Sequence, residues 1–87
     1  MAYALAVLPS CKKEINSLCK KNKPLWEALQ NKIKQILENP HHFKPLSYPL
    51  QNKRRVHILK SFVLIYEINE EENTVVLLLF SHHDDAY

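Results

Sequence analysis

Phe62-Val63-Leu64-Ile65-Tyr66-Glu67-Ile68-Asn69, then Glu70-Glu71-Glu72-Asn73, then Thr74-Val75-Val76-Leu77-Leu78-Leu79-Phe80-Ser81, reads as a β-hairpin. Both flanking runs are crowded with β-branched and aromatic residues, which suit a pleated, half-buried surface, and the polar residues between them supply the turn. The second run passes without a linker into Ser81-His82-His83-Asp84-Asp85-Ala86-Tyr87, so ionisable side chains stand at the rim of a core sheet. Upstream, Arg54 to Lys60 alternates. Arg55, His57 and Leu59 fall on one face, Val56 and Ile58 on the other, as in a half-buried strand. If these runs pair, the two histidine-bearing segments are expected on neighbouring strands.

Tyr3 to Val7 is a short apolar run ended by Pro9, and it predicts a first strand. Ser10 is the expected cap of a helix running to about Asn22, in which Cys11, Ile15, Leu18 and Cys19 recur on one side and Lys12, Lys13, Lys20 and Lys21 on the other. Pro24 suits the first turn of a second helix, whose stripe of Leu25, Leu29, Ile33, Ile36 and Leu37 runs until Asn39-Pro40 stops it. Three prolines then punctuate a loop between Pro40 and Asn52, where His41 and His42 read as loop residues. The order β-α-α-β-β-β predicts an α+β fold, a helical hairpin packed on a small, mainly antiparallel sheet.

Eighty-seven residues supply material for one core, so a single domain over residues 1–87 is expected. An apolar fraction of 46% argues against disorder. The net charge of +3 conceals a polarity. All twelve Lys and Arg lie in residues 1–60 against three Glu, whereas residues 61–87 carry six carboxylates and no Lys or Arg. A basic region of that weight suits a polyanion such as RNA, DNA or an acidic protein, and it equally describes a solvated helix face.

Cys11 and Cys19, eight residues apart on one helix, lie roughly 12 Å from each other, beyond the ~7 Å reach of a disulfide. Reduced thiols, with no Cys-x-x-Cys pair for zinc, fit the cytoplasm. The N-terminus lacks the pattern of a signal peptide or membrane span, so a soluble cytoplasmic protein without membrane contact is expected. There is no glycine, which excludes the phosphate cradles built on glycine backbones and the nucleotide cofactors they hold.

The histidines carry the chemistry. An imidazole exchanges protons near neutrality, so His57 beside Arg54 and Arg55 reads as a general base or phosphate ligand, or else as a structural histidine of a half-buried strand. His82-His83-Asp84-Asp85 contains metal-ligand types, but successive residues of an extended chain point opposite ways, so neither a metal nor any other cofactor is expected. Without metal, His83 could protonate a leaving 5′ oxygen while a second base takes the proton of an attacking 2′ hydroxyl. Lys53, Arg54, Arg55 and Lys60 would hold the phosphorane charge. Tyr87 could stack on a base, orient a phosphate, or simply pack on the sheet.

This combination resembles the RelE/ParE superfamily of type II toxins. The resemblance rests on Arg54-Arg55-Val56-His57-Ile58, then Phe62 to Ile68, then an apolar strand closing on His82-His83-Asp84-Asp85-Ala86-Tyr87. It spans nearly the whole chain, is strongest from Arg54 to Tyr87, and is closest to the RelE and YafQ branch of mRNA interferases. Those toxins cut mRNA in the ribosomal A site without metal and are silenced by a cognate antitoxin.

The resemblance implies His57, His83 and Tyr87 as catalytic positions and Phe62 as a matched aromatic. Ser61 stands where YafQ-type toxins carry an aspartate, and Tyr48 where they carry a histidine. Lys53, Arg54, Arg55, Lys60, Ser61, Phe62 and Tyr48 are the implied substrate-binding set. The implied partners are an antitoxin, in a hetero-oligomer with the toxin, and the ribosome with its mRNA. A non-catalytic binding protein on the same scaffold, either a gyrase inhibitor of ParE type or an attenuated toxin that only binds antitoxin, is the alternative.

Overall fold

The computed structural model describes residues 3–43, 45 and 53–82. A short strand, β1 (Ala4–Val7), leads into helices α1 (Pro9–Cys19) and α2 (Lys23–Glu38), a 3-10 turn (Pro40–His42), and strands β2 (Lys53–Ile58), β3 (Phe62–Asn69) and β4 (Thr74–His82). The helical hairpin covers one face of a four-stranded sheet ordered β1-β4-β3-β2. Strands β2, β3 and β4 are antiparallel to their neighbours, and β1 runs parallel to β4.

Two helix boundaries differ from expectation for one reason each. Pro9 is already helical, so Leu8 takes the cap position, its carbonyl accepting from the Lys12 amide at 2.9 Å, and Ser10 caps nothing. A proline loses nothing in a first turn, where its missing N–H would have no partner. Helix α1 then stops at Cys19, because Asn22 serves the next helix: its Oδ1 accepts from the Leu25 amide at 3.1 Å. Leu25, Leu29, Ile33 and Ile36 are buried as the stripe predicts, while Trp26 beside them stays 44% exposed.

The histidine-bearing strands are not neighbours. Strand β3 pairs with β2 on one side and β4 on the other, which sets β2 and β4 about 10 Å apart, twice the spacing of adjacent strands. Two consecutive tight connections force that order, since each antiparallel return lays the chain beside the strand it has just left.

Strand β2 also ends at Ile58 rather than Lys60. Leu59 and Lys60 have φ of 52° and 65°, outside the extended region, and they begin the turn into β3. Within the hairpin, Ile65 pairs with Leu79 and Tyr66 with Leu77, so Leu78 is the extra residue of a β-bulge. The slip reverses the alternation of β4, and Val75, Leu77 and Phe80 all turn toward the helices, each fully buried.

Buried groups on the helix side are neutral. Tyr66, fully buried, donates its hydroxyl to the Pro40 carbonyl at 2.6 Å, which ties the centre of the sheet to the end of α2. Burial pushes its phenol up to about 12. Burial, with a smaller contribution from Glu14, likewise pushes the Cys11 thiol up to about 11, so this cysteine is an inert core residue. No helix among the described residues is long and apolar enough to cross a membrane.

Candidate functional site

Strand β2 divides its side chains between two environments. Val56 and Ile58 enter the core, and the alternation turns Lys53, Arg55 and His57 to the sheet face away from the helices. His57 is exposed there, and Arg55 is half-buried. In register, His57 faces Val63, which faces Ser81, so one row runs from β2 across β3 to β4 on this face. Lys53 faces Glu67 and pairs with it at 3.2 Å.

Arg54 belongs elsewhere. Its Nη1 donates to the Phe43 carbonyl at 2.8 Å and its Nη2 lies 3.4 Å from His41 Nδ1, so this guanidinium braces the segment after α2 and does not share the face of His57. Opposite faces for Arg54 and Arg55 follow from their adjacency on one strand. Of the four cations expected beside His57, Arg55 and Lys53 share its face and Lys60 lies in the following turn.

At that turn Lys60 and Ser61 are exposed and Phe62 is half-buried. Phe62 stacks on the buried Phe80, with centroids 5.9 Å apart, and meets the edge of His82 at 5.3 Å. His82, which the sequence presents among metal-ligand types, packs here against an aromatic ring instead. The signal for this contact was the hairpin itself, because the register brings His82 opposite Phe62. His83, Tyr87 and Tyr48 lie outside the described residues. Among the described residues no three His, Cys, Asp or Glu side chains are grouped to hold a metal ion.

A second polar cluster occupies the other end of the sheet. His41 Nε2 contacts Glu70 Oε1 at 2.7 Å, the Tyr3 hydroxyl donates to Glu70 Oε2 at 3.2 Å, and the Tyr3 and His41 rings meet edge-on. Each His41 nitrogen faces a partner, Glu70 on one side and Arg54 on the other, so this loop histidine acts as a clamp between the 3-10 turn and the β3–β4 turn. The molecule is thus polar along β3. Lys60 marks one end, and Glu70, Glu71 and Glu72 mark the other, about 25 Å away.

Comparison with known proteins agrees with this architecture. The family described as ParE toxin of the type II toxin-antitoxin system parDE matches over residues 5–87. A Methanocaldococcus jannaschii relative designated RelE4 is 41% identical over 85 residues, spanning 98% of this chain and 90% of its own length. Two solved structures share the fold. A free-state mutant of the E. coli toxin RelE superposes with a TM-score of 0.78 at 22% identity, over 99% of this chain and 88% of that one. A chain of the intact E. coli RelBE toxin-antitoxin complex gives 0.79 at 21% identity, over 92% of this chain and 95% of that one.

Proposed function

Because the chain belongs to the RelE/ParE superfamily of type II toxins, we propose that it is a ribosome-dependent mRNA endoribonuclease that acts in the cytoplasm without a metal. The observation that carries this reading is His57, exposed on the sheet face away from the helices, with Arg55 on the same face and the Lys60–Phe62 turn immediately after. An imidazole held on a rigid strand beside fixed cations is equipped for proton transfer next to a phosphodiester.

In the proposed reaction one of His57 and His83 removes the proton of the ribose 2′ hydroxyl. The resulting oxygen attacks the adjacent phosphorus, the P–O5′ bond breaks, and the other histidine delivers a proton to the departing 5′ oxygen. The products are a 2′,3′-cyclic phosphate and a free 5′ hydroxyl. Arg55 and Lys60 stabilise the charge that accumulates on phosphorus oxygens, and Ser61, Tyr48 and Tyr87 contact the substrate, whereas Lys53, paired with Glu67 four residues up the strand, serves a more distant phosphate, and Phe62, packed on Phe80 on the helix side of the sheet, is set apart from the face of His57. Arg54 contributes through the frame, by holding the segment at Phe43.

Purified protein, ribosomes and a defined mRNA test the reading. Cleavage with a cyclic phosphate end is expected, and His83→Ala should abolish it. Intact mRNA, or cutting that survives His83→Ala, overturns the enzymatic assignment.

The antitoxin partner is proposed from the relatives that form such complexes. Its contact surface in this proposal is the groove of about 400 Å3 where Leu5, Val7 and Lys12 face Trp26 and Leu29. Trp26 is the only tryptophan and is 44% exposed, so a blue shift of its fluorescence on adding antitoxin reports docking there. A second reading, inhibition of DNA gyrase without catalysis, draws support from the ParE description of the matching family. A supercoiling assay run beside the translation assay separates the two.

A further inference from the structure

Leu59 is the least economical residue of the sheet. It is 51% exposed and stands outside the core cluster, and it sits at φ 52°, followed by Lys60 at φ 65°. The Ser61 amide donates to the Leu59 carbonyl at 2.7 Å and closes a three-residue turn about Lys60 with positive φ, the rare and strained form of the γ-turn. In the left-handed region a Cβ crowds its own backbone, and a branched aliphatic side chain has no polar group with which to offset that. Asparagine or glycine would satisfy the backbone here and remove an exposed leucine at once. Folding stability therefore does not account for the choice of Leu59-Lys60.

Strain of this kind persists where it holds side chains in a fixed, outward arrangement. The turn follows His57 by two residues and precedes Ser61 and Phe62, so it stands at the lip of the candidate site. It carries one apolar group, one ammonium and no carboxylate. The corresponding turn at the other end of β3 carries three glutamates, so of the two turns that flank β3 the one at Leu59 is the one whose charge suits a phosphate.

We propose that Leu59 and Lys60 form a preorganised prong for single-stranded RNA, in which the Leu59 isobutyl group packs on the face of a base beside the cleaved phosphodiester and the Lys60 ammonium contacts a phosphate. The inference rests on the ribonuclease reading above and assigns part of its sequence preference to Leu59. An apolar side chain on the face of a base carries a modest sequence preference, because bases differ in stacking strength. A phosphate contact carries none.

The test combines a melt with codon-resolved cleavage on ribosomes. Leu59→Asn with Lys60→Gly should raise Tm by about 5 °C through relief of the turn. Leu59→Asn alone should lower cleavage roughly tenfold at preferred codons and flatten the distribution of cut sites, whereas Leu59→Met should restore both. Lys60→Ala should weaken cleavage evenly across sites and more at high salt. A double variant that melts no higher than the parent overturns the strain argument. Unchanged cutting by Leu59→Asn, or a loss confined to antitoxin binding, overturns the RNA contact. If the parent protein itself cuts nothing, the ribonuclease reading fails and takes this inference with it, a result that no prong variant can produce.

Discussion

The two connections that flank β3 are built on opposite principles. The β3–β4 turn is satisfied locally: Asn69 Oδ1 accepts from the Glu72 amide at 3.1 Å, the Thr74 hydroxyl donates to the Glu72 carbonyl at 2.9 Å, and its one positive φ, 53°, falls on Asn73. Asparagine tolerates the left-handed region because its short amide can bond to nearby backbone. The β2–β3 turn places two such conformations in succession on a leucine and a lysine. One end of the sheet is thus a structural anchor, tied further by Glu70 to His41 and Tyr3, and the other spends stability on presentation. In a chain without glycine, every positive φ must fall on a residue with a side chain, and which residue takes it separates scaffold from site.

The largest effect should come at the presenting end. His57→Ala is expected to lower ribosome-dependent cleavage by about 100-fold or more while leaving the melting curve in place, because an exposed imidazole adds little packing. A variant that loses activity only in proportion to lost folding would make His57 structural and erase the contrast.

Next in size is the tie beneath the anchored end. Tyr66→Phe removes a buried donor and leaves the Pro40 carbonyl unpartnered, at a cost of about 1–3 kcal/mol by urea titration. The same hydroxyl gives an alkaline signature. With Tyr66 raised to about 12 and Cys11 to about 11, from ordinary values of 10.0 and 9.0, the unfolded chain releases these protons first. The stability they contribute is therefore complete below about pH 9 and is lost as pH rises toward 12. Urea midpoints at pH 8 and pH 10.5 should show the fall, and Tyr66→Phe should make it shallower.

Glycine substitutions distinguish the two turns directly. Asn73→Gly should shift the urea midpoint little, and Asn73→Ala should cost about 1 kcal/mol, since alanine lacks the bonding amide and resists positive φ. Lys60→Gly should stabilise. Equal responses at the two turns would mean that they are not different in kind. The smallest effect is expected of His41→Ala, below about 1 kcal/mol, because its contact with the Glu70 carboxylate is solvent-exposed. A thermal melt would measure it.

Local structure was legible where one signal stood alone. Strand β3 begins and ends where its run of Val, Ile, Leu and aromatic residues does, and β4 exceeds expectation by His82 only. Boundaries shifted where two demands met on one residue. Asn22 could extend one helix or cap the next, and capping won because it satisfies an amide that would otherwise lack a partner. Arg55 and His57 share a face, as their spacing requires, but the same alternation removes Arg54 from that face. The role of Arg54 as a brace depends on Phe43 and His41, more than ten residues away, and no periodicity reports such a contact.

By itself the sequence determined the inventory: two amphipathic helices, an apolar hairpin, a basic strand bearing His57, and no glycine to absorb a left-handed bend. Those properties are local, because side-chain period and backbone sterics act over a few residues. Tertiary structure alone decided that β3 separates the histidine-bearing strands, that a bulge at Leu78 returns Phe80 to the core, and that the left-handed positions fall on Leu59, Lys60 and Asn73. The bulge is set by where the helical hairpin requires apolar surface, the strand order by the two tight returns, and the left-handed positions by closing those returns in register, conditions that separate segments meet only when they pair.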